Sequence, residues 1–381
     1  MHTTTRLVRA RAAAVAALAA AVIAPVLGSG PVAAGPAAPS APPPAGADAL
    51  VSYSLLEDEN PVVHRDGTTT PFTAGASPTK IVSGQFDADP GGEAILYSYG
   101  TAAPDGLLQV DASGSGVTTT ETPLQIGGAF QPIVGDFDGN GVDDVLWYAP
   151  GTARDYLWTF DASGSHTSRR MQIDGAYRPS TLDANGDGRT DVLWYGPGSR
   201  PDRLWLMGAG AVPTTKSLTI GGDYQVVVGP FGQADVGQPT DRVVFYNRAG
   251  SDWLWTFDVS GTPTSHALPA IDGAYTVLGG QFIEEAYGTL FFYGPGTLPE
   301  RLWAFGPPPA DVAEQEAPPQ VTGTYRPSTG DFDGDGLTDI AWVGDKSPSR
   351  LWSFRFDGTV AGTPLPLPYR PWWATATVEM G

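Results

Sequence analysis

Three short loops carry oxygen-bearing side chains at one repeated spacing. The last loop has aspartates at its first, third, fifth and ninth positions, while the two earlier loops replace one aspartate each by asparagine. Carboxylate and amide oxygens at this spacing bind hard cations, and the backbone carbonyl at the seventh position can add a ligand. The predicted metal ligands are Asp136, Asp138, Asn140, Val142 and Asp144; Asp183, Asn185, Asp187, Arg189 and Asp191; and Asp331, Asp333, Asp335, Leu337 and Asp339.

Calcium is the predicted ion, because four side chains, one carbonyl and water supply the six or seven oxygens that Ca²⁺ takes. The pattern lacks the thiolates and imidazoles that Zn²⁺ and Cu²⁺ prefer, and Mg²⁺ requires a stricter octahedron. An EF-hand is excluded, because its twelfth position needs a bidentate Glu and here holds Trp147, Trp194 and Trp342. The alternative is a solvated Asp/Gly-rich turn that binds no metal. About three calcium sites are therefore predicted.

Three further loops have lost part of this pattern. In the earliest, Asp87, Asp89 and Glu93 predict a weaker fourth site. The other two have Pro230 and Gly232, or Gln281, Ile283 and Glu285, where acids belong, and no tight site is predicted there. An apolar strand follows both loops, so the sequence predicts that the surrounding structure is kept where the metal is lost.

These loops belong to a longer repeat. The pair Leu-Trp recurs at spacings of 47, 50, 48 and 49 residues, and Leu107-Leu108 marks a sixth copy. Each copy combines four short apolar or Thr-rich segments with Pro-Gly and Ser-Gly turns. Four strands in a repeat of about 48 residues are typical of β-propeller blades. A helical solenoid is excluded, because no long segment has a period of 3.6 residues.

The predicted fold is an all-β, seven-bladed propeller of four-stranded blades. Six repeats are placed at about 81–131, 132–178, 179–225, 226–276, 277–326 and 327–371. Residues 48–80 resemble the last three strands of a repeat, and residues 372–381 supply one more strand. A seventh, composite blade from both segments would close the ring by strand pairing. Six or eight blades are the alternatives.

The composition limits the partners of the chain. Residues 1–34 have a basic start followed by an apolar run of about 16 residues, which predicts a signal peptide and secretion. A retained membrane anchor is the alternative, but about 20 residues are needed to span a bilayer. Residues 35–47 are predicted to be a Pro/Ala-rich linker. A formal charge of −20 disfavours nucleic acid and anionic membranes as partners, and the absence of Cys excludes disulfides.

The acidic loop followed by an apolar strand, D-x-D-x-[DN]-G-x-x-D, resembles the FG-GAP/VCBS repeat family over about residues 49–381. The resemblance implies a β-propeller with Ca²⁺ in the loops between strands one and two, and a role in adhesion or in binding proteins or glycans. The repeats are also similar to those of seven-bladed propeller lectins, in which sugar lies between neighbouring blades.

Most tryptophans occupy two fixed positions of the repeat and are predicted to pack between sheets. Trp253, Trp372 and Trp373 lie outside that register and are candidates for ligand contact. Arg178 and Arg326 are further candidates, with pairing to nearby acids as the alternative. No triad spacing or nucleophile elbow is present, so the chain is predicted not to be an enzyme.

The favoured hypothesis is a secreted, calcium-binding, non-catalytic module that binds carbohydrate. The alternative is a protein–protein adhesion module of the integrin-propeller kind, and a polysaccharide-degrading enzyme ranks below both. The expected partner is a glycan or an extracellular protein, with no nucleic acid and no membrane insertion once the signal peptide is cleaved.

Overall fold

The computed structural model describes residues 48–53, 60–63, 69–72, 80–89, 91–100, 104–113, 116–232, 239, 241–283, 288–306, 312–314, 318–344, 347–367 and 374–378. The predicted signal peptide, the linker, Trp372 and Trp373 lie outside these residues. In the described part of the chain, no helix has the length and apolar character needed to cross a membrane.

The described strands form seven antiparallel, four-stranded sheets. In the first three repeats they are β4 (Lys80–Gly84), β5 (Gly92–Tyr97), β6 (Asp105–Ser113) and β7 (Gly116–Leu124); β8 (Gln131–Gly135), β9 (Asp144–Tyr148), β10 (Asp155–Phe160) and β11 (His166–Met171); and β12 (Arg178–Leu182), β13 (Asp191–Tyr195), β14 (Asp202–Gly208) and β15 (Val212–Leu218). In the next three they are β16 (Gln225–Gly229), β17 (Arg242–Tyr246), β18 (Asp252–Phe257) and β19 (Pro263–Leu268); β20 (Thr276–Gly280), β21 (Thr289–Tyr293), β22 (Arg301–Phe305) and β23 (Val312–Glu314); and β24 (Tyr325–Gly330), β25 (Asp339–Gly344), β26 (Arg350–Phe354) and β27 (Val360–Pro364).

The seventh sheet joins the two ends of the described chain. It contains β1 (Ala49–Tyr53), β2 (Asn60–Val63), β3 (Thr69–Phe72) and β28 (Ala374–Val378), in the order β28-β1-β2-β3. The register of β1 on β28 runs from Ala49 opposite Val378 to Tyr53 opposite Ala374. The predicted composite blade is therefore confirmed.

The first strands of the seven sheets surround one axis. Contacts between first strands run from β4 through β8, β12 and β16 to β20, and from β24 through β28 back to β4. Between the fifth and sixth blades, Thr338 N donates to Gln281 O at 2.8 Å, which completes the ring. The protein is a seven-bladed β-propeller, as the repeat predicts.

The hydrophobic core lies between neighbouring blades. Trp147, Trp194 and Trp342, on the second strands, are each at most 1% exposed. Each meets the Leu-Trp tryptophan of its own blade edge-on, at centroid distances of 5.4, 5.1 and 5.4 Å. Edge-to-face contact is a favourable arrangement for buried aromatic rings. The regular tryptophans therefore pack the blades, as their spacing predicts.

Candidate metal centres

The acidic loops connect the first and second strands of their blades, and we number them by blade. Position 1 directly follows the first strand, and position 9 begins the second strand in loops two, three and six. Because equivalent strands of a propeller run in the same direction, all of these loops lie on one face. The repeat thus places the predicted ligands around a single rim.

Loop two folds around the carboxylate of Asp136. Its Oδ1 accepts hydrogen bonds from the backbone N–H groups of Gly139 (2.7 Å) and Asn140 (3.0 Å), and its Oδ2 accepts one from Gly141 (2.8 Å). The two glycines have φ values of 79° and 85°, which L side chains rarely adopt. This local geometry explains why glycine alternates with the oxygen-bearing residues.

Two loops bring three carboxylates together. Oxygens of Asp136, Asp138 and Asp144 in loop two lie within 4.8 Å of one another, as do those of Asp331, Asp333 and Asp335 in loop six. Among the residues that the structure describes, these are the two such groups of Asp, Glu, His or Cys. In both, the converging atoms are hard oxygen donors of the kind that Ca²⁺ takes.

Loop three has the same backbone turn but a different interior. Asp183 accepts hydrogen bonds from Gly186 N (2.8 Å) and Gly188 N (2.9 Å), as in loop two. The Asp187 carboxylate, however, accepts a bond from Asn185 Nδ2 (3.2 Å) and lies 3.4 Å from the Arg189 guanidinium. Loop three therefore keeps the turn, but its three carboxylates do not converge within 4.8 Å, and that of Asp187 is engaged by donors of its own loop.

The acids at position 9 are fully buried beneath their loops. Asp144 accepts hydrogen bonds from Phe137 N at 3.1 Å and Phe160 N at 2.9 Å, which tie the loop to the third strand. Desolvation by burial, together with a contribution from neighbouring loop aspartates, raises the pKa of Asp144 and of Asp191 to about 7 and that of Asp339 to about 8. A bound cation would stabilise the charged form of these carboxylates.

Loop one contains an amide at its centre. Gln85 Nε2 donates hydrogen bonds to the carbonyl oxygens of Asp89 and Gly91, both at 2.8 Å. Of the predicted ligands, Asp87 accepts a bond from Gln109 Nε2 (2.9 Å), and Glu93 accepts one from Phe86 N (2.8 Å). The weak site remains a prediction, but the geometry disfavours it, because the Gln85 amide donates into the loop where loops two, three and six have a carboxylate at position 1.

Loops four and five have other side chains in place of the acids, and these also form hydrogen bonds with the backbone of their own blade. Arg242 begins the second strand of the fourth blade and donates through Nη1 to Phe231 O at 2.8 Å. In loop five, Gln281 Nε2 donates to Ile283 O, and Thr289 accepts a bond from Phe282 N at 2.7 Å. Residues 233–238 and 284–287 of these loops lie outside the described residues. That neither loop holds a tight site stays a prediction.

A gain-of-site substitution tests this interpretation of loop one. We expect Gln85→Asp to add one bound Ca²⁺ per chain, because it removes the internal amide and completes an acidic set with Asp87, Asp89 and Glu93. Titration calorimetry of the purified protein counts the sites.

The matched control is Gln281→Asp, which leaves Ile283 at position 3 and Thr289 at position 9 of loop five. We expect no added site in this variant. If Gln85→Asp binds no more Ca²⁺ than the parent protein, internal donation by Gln85 is not what prevents Ca²⁺ binding in loop one.

The candidate ligand residues have different environments. Trp253 lies on β18, beside β17. It is only partly exposed and packs against the core. Arg178 pairs with Asp223 at 2.5 Å, with both side chains exposed, which is the pairing that the sequence left as the alternative. Arg326 lies exposed on β24. These three positions do not form a common site.

Sequence spacing did not predict the contacts that join consecutive loops. The residue at position 8 of one blade meets position 1 of the preceding blade, as Asp143 does with Gln85: Asp143 N donates to Gln85 O (2.6 Å), and Asp143 Oδ2 accepts from Gln85 N (2.9 Å). Thr338 and Gln281 repeat this two-way contact at 2.8 Å in each direction. The available signal is the polar residue that precedes position 9 in several loops.

A cavity of about 380 Å³ opens at the loop-bearing end of the propeller axis. Residues of five blades form its walls. They lie near the end of a first strand or directly before a second strand. They include hydroxyl, amide and carboxylate groups. Polar lining residues are Asp48, Ser83, Gln85, Asp143, Thr329, Asp331 and Thr338.

No protein-family model matches the chain, and no curated sequence does. Two solved structures share the fold. A protein of unknown function from Desulfotomaculum acetoxidans has a TM-score of 0.56 at 10% identity, over 87% of this chain and 99% of the other. A proposed 6-phosphogluconolactonase from Bacteroides uniformis has a TM-score of 0.53 at 11% identity, with the same coverage. At these identities, the likeness shows the propeller fold alone.

Proposed function

We propose that this propeller is a calcium-binding, non-catalytic module whose ligand is a carbohydrate. The observation that carries the proposal is the axial cavity. Its volume of about 380 Å³ is within the range of small-ligand sites. The hydroxyl, amide and carboxylate groups of its walls can exchange hydrogen bonds with the many hydroxyl groups of a sugar, whereas an apolar ligand would form none with them. Polar side chains of four blades line it, among them those of Asp48, Ser83, Asp143 and Thr338.

The proposed ions are three Ca²⁺, one each in loops two, three and six. Loops two and six support this proposal through their converging carboxylates, and loop three through its equivalent turn around Asp183. The donor atoms are all oxygens, which favours Ca²⁺ over softer metals. Bound ions would stabilise the loop face around the cavity without taking part in a reaction.

The resemblance to FG-GAP/VCBS repeats and the secreted location belong to the same proposal. The acidic loop before an apolar strand supports the family, and the basic and apolar residues of 1–34 support export. Millimolar extracellular Ca²⁺ would occupy such partly exposed loops even at modest affinity. The proposed partner is therefore a glycan outside the cell.

A glycan array, probed with and without a calcium chelator, tests the ligand. We expect binding to a restricted set of glycans, and Asp143→Asn to weaken it about tenfold, because a charged hydrogen bond to a sugar hydroxyl is lost. Asn keeps an oxygen that can accept the hydrogen bond from Gln85 N, so the contact between the loops is preserved.

The matched control is Asp241→Asn. Asp241 accepts a hydrogen bond from Asp183 N at 2.8 Å in the equivalent contact, but it does not line the cavity. We expect wild-type glycan binding in this variant. An array without signal, in a protein that binds Ca²⁺, would reject the carbohydrate ligand and favour the adhesion alternative.

A further inference from the structure

We infer that Asp48 is a positioning residue of the loop-six cation site and that it couples cation binding to closure of the propeller ring. The inference rests on the proposed calcium sites and adds a residue that lies 283 positions away in sequence. Asp48 directly precedes β1, the strand that pairs with β28 in the composite blade. It therefore lies where the two ends of the described propeller meet.

Asp48 forms hydrogen bonds with both backbone polar groups of Asp331, the predicted ligand at position 1 of loop six. Asp48 N donates to Asp331 O at 2.7 Å, and Asp48 Oδ2 accepts from Asp331 N at 2.7 Å. The Asp331 carboxylate accepts hydrogen bonds from Asp335 N (3.1 Å) and Gly336 N (2.8 Å) of its own loop. Asp331 is thus oriented from two sides, by the composite blade and by loop six.

The next residue extends this contact into the core. Phe332 is 2% exposed and belongs to a cluster that includes Leu50 of β1 and Val63 of β2. A residue of loop six thereby packs on two strands of the composite blade. Because the backbone bonds and this apolar contact involve adjacent residues, a displaced β1 would disturb both the position of Asp331 and the packing of Phe332.

The contact differs from its equivalents elsewhere in the ring. Asp143 with Gln85 and Thr338 with Gln281 join blades that follow each other along the chain, at separations of 58 and 57 residues. The Asp48–Asp331 contact instead spans the propeller in sequence and holds a strand of the composite blade against the sixth blade. Closing so long a segment costs more chain entropy than closing the shorter ones.

Linkage makes the relation reciprocal. If Asp331 binds a cation best in the position that Asp48 imposes, cation binding must favour the docked β1 by the same factor that docking favours the cation. Coupling between sites is commonly about 5–150-fold in affinity. For one ligand residue held by two backbone bonds, we expect an effect of about tenfold.

Calcium affinity is measured in a full-length background that leaves loop six as the remaining one of the three proposed sites. Asp138→Ala and Asp187→Ala, which disable loops two and three, provide this background. Adding Asp48→Ala should weaken Ca²⁺ binding about tenfold, whereas Asp48→Asn should retain most of the affinity, because its amide oxygen can accept from Asp331 N. Asp241→Ala removes the equivalent acceptor at loop three and should leave the loop-six affinity unchanged.

Hydrogen exchange gives a second readout that depends on calcium binding but not on glycan binding. Calcium should slow exchange in residues 49–53 in the background protein, and it should have no such effect when Asp335→Ala is added. Protection that is equally calcium-dependent with and without Asp335→Ala would overturn the coupling.

Different outcomes would reject the proposed calcium sites and the role of Asp48. If the wild-type protein takes up no Ca²⁺ at millimolar concentration, the proposed function is wrong. If it binds Ca²⁺ but Asp48→Ala leaves both the loop-six affinity and the exchange of residues 49–53 unchanged, the calcium sites stand and the role assigned to Asp48 is wrong.

Discussion

Replacing Trp342 with alanine is expected to lower the free energy of unfolding by about 3–5 kcal/mol, the usual cost of truncating a large buried aromatic residue. Trp342 is 0% exposed. Its ring contacts Phe291 and Tyr293 of the fifth blade at centroid distances of 5.7 and 5.0 Å and Trp352 of its own blade at 5.4 Å. The indole therefore fills the space between two sheets, and alanine would leave a cavity there. Urea denaturation of the two proteins measures the difference.

Trp253 provides the matched control. It lies on β18 of the fourth blade and is partly exposed, so Trp253→Ala should cost less than about 2 kcal/mol. Both variants should keep the glycan binding of the parent protein. A Trp342→Ala protein of unchanged stability that lost glycan binding would show that this position contacts ligand and that its packing role is wrong.

The fold could be predicted from the sequence because its repeat is a packing repeat. Every blade buries its second and third strands against the neighbouring blade, so the same positions must be apolar in each copy. The composite blade could also be predicted, because residues 48–80 match the end of a repeat and the C-terminal segment supplies one more strand. Among the described residues, its strands include Ala49–Tyr53 and Thr69–Phe72.

Whether each acidic loop offers metal ligands or internal hydrogen-bond donors was harder to predict. Gln85 looks in sequence like a ligand that has lost its charge, whereas the structure shows its amide donating to two carbonyl oxygens of loop one. Arg242 stands where other blades have a buried acid or threonine and reverses the direction of the hydrogen bond. Residue spacing identifies the positions, but it does not show which way a side-chain donor points.

Many acids proved to be structural, which limits what the charge of −20 can indicate. Asp155, at the start of the third strand, accepts hydrogen bonds from Ala149 N (2.8 Å) and Ile173 N (2.7 Å), and it is 0% exposed. Asp252 makes the equivalent pair of bonds with Asn247 N and Ile271 N. Their recurrence two residues before the Leu-Trp pair is the sequence signal of this structural role.

Calcium is expected to stabilise the protein strongly, and more so at high pH. At a free concentration of 100 times Kd, each site adds about 2.7 kcal/mol, so three sites add about 8 kcal/mol and raise Tm by more than about 10 °C. Cations bind the ionised carboxylates, and protons compete with them. Thermal unfolding with Ca²⁺ or with chelator, from pH 5 to pH 9, measures this effect.

The sign of the pH dependence without calcium follows from the acids at position 9. Their pKa values are raised to about 7 for Asp144 and Asp191 and to about 8 for Asp339, against about 4 for an unfolded Asp. Between pH 4 and pH 8 the folded state therefore binds more protons than the unfolded state, and the contribution of these groups to stability falls as pH rises. Calcium should offset this loss, so the gap between the two Tm curves should widen from pH 5 to pH 8.

Asp333→Ala separates specific binding from ionic strength. It should remove the loop-six contribution, about one third of the calcium effect, and leave Tm in chelator within a few degrees of the parent value. Potassium chloride at equal ionic strength should not reproduce the calcium effect, because screening acts on all exposed charges alike. A Tm gap that stayed constant with pH, or that was largest at pH 5, would mean that these buried carboxylates do not exchange protons for calcium.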